Sequence, residues 1–158
     1  MNSFIYNIPT KVYFGENQLG NLGKELLKFG QRVLLTYGGG SIKRIGLYDR
    51  VLTELHNAGM EVFELSGIEP NPRIESVREG VKICKEQNVD VILAVGGGST
   101  LDASKFMAAG ACVEHDPWEF FGANAKPIER ALPLITILTL SATGSEMDSG
   151  GVISNLTT

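Results

Sequence analysis

The sequence predicts a doubly wound α/β domain, a mostly parallel sheet with helices on both faces. Three observations carry that expectation. Short runs that are apolar at nearly every residue alternate with longer segments whose leucines and valines recur at helical spacing. Glycine or an Asn-Pro or Asp-Pro pair punctuates most of the joints. The run Gly-Gly-Gly-Ser occurs twice, at 38–41 and at 96–99, each time after an apolar strand and just before a helix.

Taken in order, FIYNIPTKVYFG is rich in β-branched and aromatic residues and reads as one or two short strands broken at Pro9. Residues 17–29 read as a helix, with Leu19, Leu22, Leu26 and Leu27 as its apolar stripe and Gly30 as its stop. RVLLTY is a buried strand, and a helix over 42–57 comes next, ending before Gly59. MEVFELSG is the next strand, and a helix begins after Asn71-Pro72 and runs through SVREGVKICKEQN. VDVILAV is a fully apolar strand, succeeded by a helix through SKFMAAGACV. The segment EHDPWEFFGANAKPIERA is a surface excursion with one helical turn after Asp116-Pro117. ALPLITILTL is a further buried strand, and GGVISN reads as the start of a short β-hairpin that has no room to close before Thr158. No internal domain boundary is visible, so residues 1–158 form one unit.

Composition narrows the function. A net charge of −4 offers no basic surface for nucleic acid. No apolar run reaches membrane-spanning length, and the start lacks the layout of a signal peptide, so a cytoplasmic protein without a membrane partner is expected. Cys84 and Cys112 are too few and too far apart for a disulfide framework or a CxxC metal site. His56 and His115 are the only imidazoles, with no second ligand at metal spacing, so no metal site and no Ser-His-Asp triad is expected within this chain. His115 reads as a helix-start contact beside Asp116. Trp118, Phe120 and Phe121 read as packing against the sheet edge.

In open parallel sheets the ligand crevice lies beyond the carboxyl ends of the strands. Both glycine runs therefore fall on one rim, and the strand ending at Thr139 brings a third loop, TLSATGSEMDSGG, to the same place. At Gly96 to Ser99 the absence of side chains lets a diphosphate approach the backbone, with free N–H groups at the helix start beyond it. Asp102 falls in the first turn of that helix. A plain strand-to-helix turn without ligand is the alternative, and the run matches neither GxGxxG nor the P-loop. At Gly38 to Ser41 the strand end carries no acid to accept from ribose hydroxyls, whereas Ser41, Lys43 and Arg44 suit the extra phosphate of NADP. The competing reading there is a solvated Lys-Arg pair. In the third loop the hydroxyls of Thr139, Ser141, Thr143 and Ser145 suit a nucleotide or an ordinary turn.

PTKVYFG, YGGGSIKRIGLYDRV, GGGSTLDASK, CVEHDPWEFF and TLSATGSEMDSGGVISN, in this order, resemble iron-containing (group III) alcohol dehydrogenases, and most of all their butanol dehydrogenase branch. The resemblance implies a Rossmann-like N-terminal domain of the dehydroquinate synthase type, joined to an all-helical domain that supplies one aspartate and three histidines to Fe²⁺ or Zn²⁺. It implies hydride transfer between NAD(P)H and a primary alcohol or aldehyde such as butanol or butanal, in a homo-oligomer, a dimer. Gly97, Gly98 and Ser99 would hold the diphosphate, with Asp102 at the nicotinamide end. Thr139, Thr143 and Ser145 would line the groove, and Gly39, Gly40 and Ser41 would surround the adenosine ribose. NADP is slightly favoured over NAD. Asp148 stands where the branch commonly has Asn and is expected to point away from the cofactor or to lose the local contact. None of the four metal ligands falls within the 158 residues. This chain alone is therefore expected to bind nucleotide without catalysis and to expose an apolar patch near the third loop, where the helical domain would dock. A stand-alone nucleotide-sensing module, or a domain of a dehydroquinate synthase-like or glycerol dehydrogenase-like enzyme, are the alternatives.

Overall fold

Two central strands fix the architecture because they have almost nothing polar to show on either face. In the computed structural model, which describes residues 8–157, β1 (Arg32–Tyr37) and β3 (Val91–Gly96) lie side by side at the centre of the sheet. β2 (Glu61–Leu65) borders β1, and β4 (Leu134–Leu138) borders β3, giving the order β2-β1-β3-β4 with every pair parallel. Val33, Leu35 and Tyr37 of β1 and Val91, Leu93 and Val95 of β3 pack on one side with α1 (Leu22–Leu26), α2 (Ser41–Arg44) and α3 (Leu47–Asn57). Leu34 and Ile92 face the opposite way, into a second core beneath α4 (Ile74–Glu86) and α5 (Gly98–Gly110). Helices thus cover both faces, as a doubly wound fold requires. Among the described residues no helix is long and apolar enough to cross a membrane.

One polar feature interrupts this core. Thr36 and Ser104 are wholly buried, with their hydroxyl oxygens 2.8 Å apart. Ser104 donates to the Thr100 carbonyl at 2.7 Å, which leaves Thr36 as the donor to Ser104. The pair ties the end of β1 to the first turns of α5 with no buried hydroxyl left unmatched.

Several expectations meet a different outcome. The helix expected over 42–57 breaks into α2 and α3 because Gly46 takes a φ of 70°, a left-handed turn between them. The helix expected over 17–29 is a 3₁₀ turn, Gln18–Asn21, continued by the short α1; Leu27 lies off its buried stripe and is exposed. β4 is half-buried, not buried, because it is an edge strand. The expected hairpin at GGVISN is not formed among the described residues: Ser154 makes one isolated parallel bridge with Arg73. Of the N-terminal strands, residues 8–15 form none, and residues 4–7 lie outside the described residues. The aromatic group of the surface excursion packs on α5 as well as at the sheet edge, with Phe121 4.5 Å from Phe106 and stacked on Trp118. Cys84 is buried, and burial pushes its thiol up to about 12, as for an inert core cysteine.

The one turn expected after Asp116-Pro117 is a 3₁₀ helix, Pro117–Phe120, opened by a full capping box between Asp116 and Glu119. His115 sits beside it, with Nδ1 3.1 Å from the Asp116 carbonyl and its ring edge-on to Phe120. Arg78 of α4 grips the Asp116 carboxylate through two nitrogens, at 2.8 and 3.1 Å, and holds its pKa below the usual carboxylate range. A lowered folded pKa stabilises above the unfolded value and ceases to do so as pH falls through the folded one. Asp116→Asn keeps the cap acceptor but not the charge. It should cost about 0.5–1 kcal/mol at pH 7, the pair being partly solvated, and its urea midpoint should converge with that of the parent as pH falls below about 4.

Candidate functional site

β1 and β3 are neighbours, yet the chain leaves them in opposite directions, β1 towards β2 and β3 towards β4. Such a reversal is where an open parallel sheet leaves a crevice, at the carboxyl ends of the two strands, and both glycine loops lie there. They meet at its floor: a Cβ built on Gly38 would lie 3.9 Å from the Thr100 hydroxyl, and one on Gly96 only 2.4 Å from it. The strand pairing of β1 ends at Tyr37, where the loop begins, and the Tyr37 carbonyl accepts from the Ile68 N–H at 3.2 Å.

The glycines of the two runs differ in what requires them. At Gly96 a side chain would strike Thr100, and at Gly98 it would meet the Thr143 hydroxyl at 2.9 Å. Gly40 has a φ of 103°, which a side chain rarely tolerates. Gly97 and Gly39 have no such internal reason. Gly97 has φ −88° and ψ −173°, open to any residue, and the nearest atom to its missing Cβ is that of Leu140 at 3.9 Å. At Gly39 nothing stands within 4 Å. These two positions leave a space on the rim that no part of the described chain fills, as a cradle for phosphates would.

The third loop is anchored to α5. Thr139 donates its N–H to the Gly96 carbonyl at 2.9 Å, which extends the β3–β4 pairing by one residue. Ser145, nearly buried, donates to Asp102 Oδ1 at 2.6 Å, and the Val152 N–H donates to Asp102 Oδ2 at 2.9 Å. Asp102 therefore spends both oxygens bracing the loop. One turn on, Lys105 donates to Asp148 at 2.8 Å and to the Gly150 carbonyl at 2.6 Å, and the ammonium holds the Asp148 carboxyl below its usual range. Asp148 is thus neutralised by Lys105. Leu140, Met147, Val152 and Leu156 are exposed in and after this loop, the apolar exposure expected there. Gly97, Gly98, Ser99, Asp102, Thr143 and Ser145 come together in this way, while Gly39, Gly40 and Ser41 occupy the other arm of the crevice and Thr139 its β4 margin. Among the described residues no three His, Cys, Asp or Glu side chains gather in a group that could hold a metal ion.

One acid is not legible from the sequence. No carboxylate stands at the end of β1, but Glu64 reaches the same arm from β2. The Tyr37 hydroxyl donates to it at 2.7 Å, and the Tyr48 hydroxyl at 2.8 and 3.0 Å. Burial first, and Glu64 second, raise the Tyr48 pKa, so its proton stays on the phenol. The signal lies in register: Glu64 pairs with Leu35, two residues before Tyr37, and an acid near the end of the second strand is where dinucleotide folds keep their ribose acceptor.

The family model of the iron-containing alcohol dehydrogenases matches residues 9–158. The chain is 53% identical over 158 residues to NADH-dependent butanol dehydrogenase A of Clostridium acetobutylicum, covering all of this chain and 40% of that protein. It is 47% identical to NADPH-dependent aldehyde reductase YqhD of Escherichia coli, again over all of this chain and 41% of the relative. The crystal structure of NADH-dependent butanol dehydrogenase A from Thermotoga maritima superposes with a TM-score of 0.94 at 44% identity, covering 98% of this chain and 39% of that one. The chain thus spans about 40% of the length of the curated relatives it matches.

The Asp102 brace makes a direct prediction. In Asp102→Ala the Val152 amide should lose its hydrogen-exchange protection while amides of β1 and β3 keep theirs, because the loop is released and the sheet is not. Unaltered protection at Val152 would show that other contacts hold the loop.

Proposed function

The chain belongs to the iron-containing alcohol dehydrogenase family, and from that premise we propose that it is the NAD(P)-binding part of an alcohol dehydrogenase. The reaction is hydride transfer between NAD(P)H and a primary alcohol or aldehyde, of the size of butanol or butanal. The observation that supports the nucleotide reading most is the unfilled space at Gly97 and Gly39, on the two arms of one crevice.

In this reading the diphosphate lies on the backbone of Gly97 and Gly98, with Ser99 as a hydroxyl donor and the start of the 13-residue α5 favouring its charge. Thr139 and Thr143 line the groove. Asp102 and Ser145 act at one remove, holding the loop against α5 at a fixed distance. Gly39, Gly40 and Ser41 surround the adenosine ribose. The bound nicotinamide supplies the hydride chemistry, and this chain's part is to orient it. NADP is favoured over NAD because Ser41, Lys43 and Arg44 stand beside the ribose arm, whereas the carboxylate of Glu64 is already occupied by two phenols. Relatives named for NADH and for NADPH both occur, so the choice rests on these side chains.

Among the described residues no group of side chains fits a metal, and no step runs through one. Fe²⁺ or Zn²⁺ belongs, on this proposal, to a helical domain beyond residue 158, docked on the exposed apolar side chains of the third loop. Residues 1–158 then form the dinucleotide-binding domain of a cytoplasmic dimer and alone bind nucleotide without turnover.

Gly97→Ala tests the cradle. The methyl has room, so the melting temperature should stay within about 2 °C of the parent, while calorimetric affinity for NADPH and NADH should fall about ten-fold as the backbone is pushed off the diphosphate. An unchanged affinity would mean that Gly96 to Ser99 is only a turn.

A further inference from the structure

Four side chains at the ribose arm form one interlocked unit. The Lys43 ammonium lies 4.4 Å from the centre of the Tyr48 ring and 5.1 Å from that of Tyr37. The two rings meet edge to face, with centroids 5.5 Å apart. Both phenols donate to the same carboxylate, that of Glu64, so neither side chain can swing away about χ1 without breaking a charge-assisted hydrogen bond. Tyr37 immediately precedes Gly38, and Lys43 lies two residues after Ser41.

We propose that Tyr37, Tyr48 and Glu64 are positioning residues that hold Lys43 ready for a phosphate on the adenosine ribose, and that this unit sets the preference for NADP over NAD. The inference rests on the nucleotide reading of the crevice.

Three arguments lead to it. A lysine on the surface loses much rotamer freedom when it takes up one fixed partner. Here the aromatic faces hold the ammonium in place before any ligand arrives, which removes part of that loss. Lys43 remains exposed and forms no ion pair among the described residues, so its charge is free to meet a dianion. Glu64 is bonded to the phenol ends of the same two rings and makes no ion pair with Lys43. Glu64, for its part, already accepts from two phenols, so a ribose 2′-hydroxyl would have to share the carboxylate with them. The same arrangement thus favours the phosphorylated nucleotide, while the bare ribose finds an acceptor already engaged by two other donors.

The test measures dissociation constants for NADPH and NADH by fluorescence titration of the protein at its full natural length, at one fixed salt concentration. Lys43→Met, a surface change, should weaken NADPH about ten-fold and leave NADH within two-fold. Tyr48→Leu removes a ring face and should do the same although Lys43 is still present. Tyr48→Phe keeps the face and should stay within about three-fold of the parent for both. Equal losses for the two nucleotides in Tyr48→Leu would mark a purely structural role and overturn the inference, as would NADPH affinity unmoved by Lys43→Met. If the parent binds neither nucleotide, or Gly97→Ala leaves both affinities intact, the nucleotide reading itself fails and this inference falls with it.

Discussion

The pairing of β1 with β3 is the constraint on which the rest of the structure depends. Two strands distant in sequence lie in register from Val33↔Val91 to Tyr37↔Val95, so they end within a residue of each other on the same rim. The loops that leave the two strands are then forced together, and two similar glycine runs become the two arms of one crevice. The pairing is held from both sides by apolar burial and, at its end, by Thr36 and Ser104. That buried pair also fixes α5, whose first turn forms one arm. A polar contact inside an apolar core adds little net stability, but it does fix an angle and a register. Here it fixes α5 against β1, next to the crevice.

α5 in turn organises the third loop. Its residues 102 and 105 lie three apart and therefore on neighbouring positions of one face, and each holds a different stretch of the chain after β4. Asp102 holds Ser145 and Val152, and Lys105 holds Asp148 and Gly150. The two contacts are of opposite charge type, acceptor and donor, so they cannot exchange partners. A loop with three glycines among residues 144–151 would otherwise have little reason to adopt one path. The hydroxyls it contributes are useful only because the helix pins it.

Much of this is legible in the sequence, and the reasons differ by element. β1 and β3 are plain because both faces are buried, and an unbroken apolar run bounded by glycine suits little besides a central strand. The convergence of three loops comes from parallel topology alone. The break at Gly46 is not legible: a glycine inside a helical pattern costs little enough to be carried through, and only the fold reveals the left-handed turn. Among the described residues GGVISN forms no hairpin: a glycine pair before apolar residues signals a bend but names no pairing partner, and the partner is Arg73, far back in the chain. Glu64 escapes a sequence reading that looks for the acid on the strand preceding the glycine loop, because sheet register brings it from the next strand over.

Glycines that look alike in sequence carry three different messages once their surroundings are known. Gly40 answers to its own backbone, and Gly96 and Gly98 answer to the side chains of Thr100 and Thr143, so each would be needed in a protein that bound nothing. Gly39 and Gly97 answer to neither: their dihedral space or surroundings would admit a side chain, and glycine at such a place carries an entropic cost without an internal return. On the proposed nucleotide reading, that cost leaves backbone bare on both arms for the phosphates. The remaining polar groups have a different character, because Asp102, Ser145, Lys105 and Asp148 satisfy one another. The crevice therefore combines a backbone left bare with side chains already spoken for, which suits a ligand recognised mainly through its phosphates.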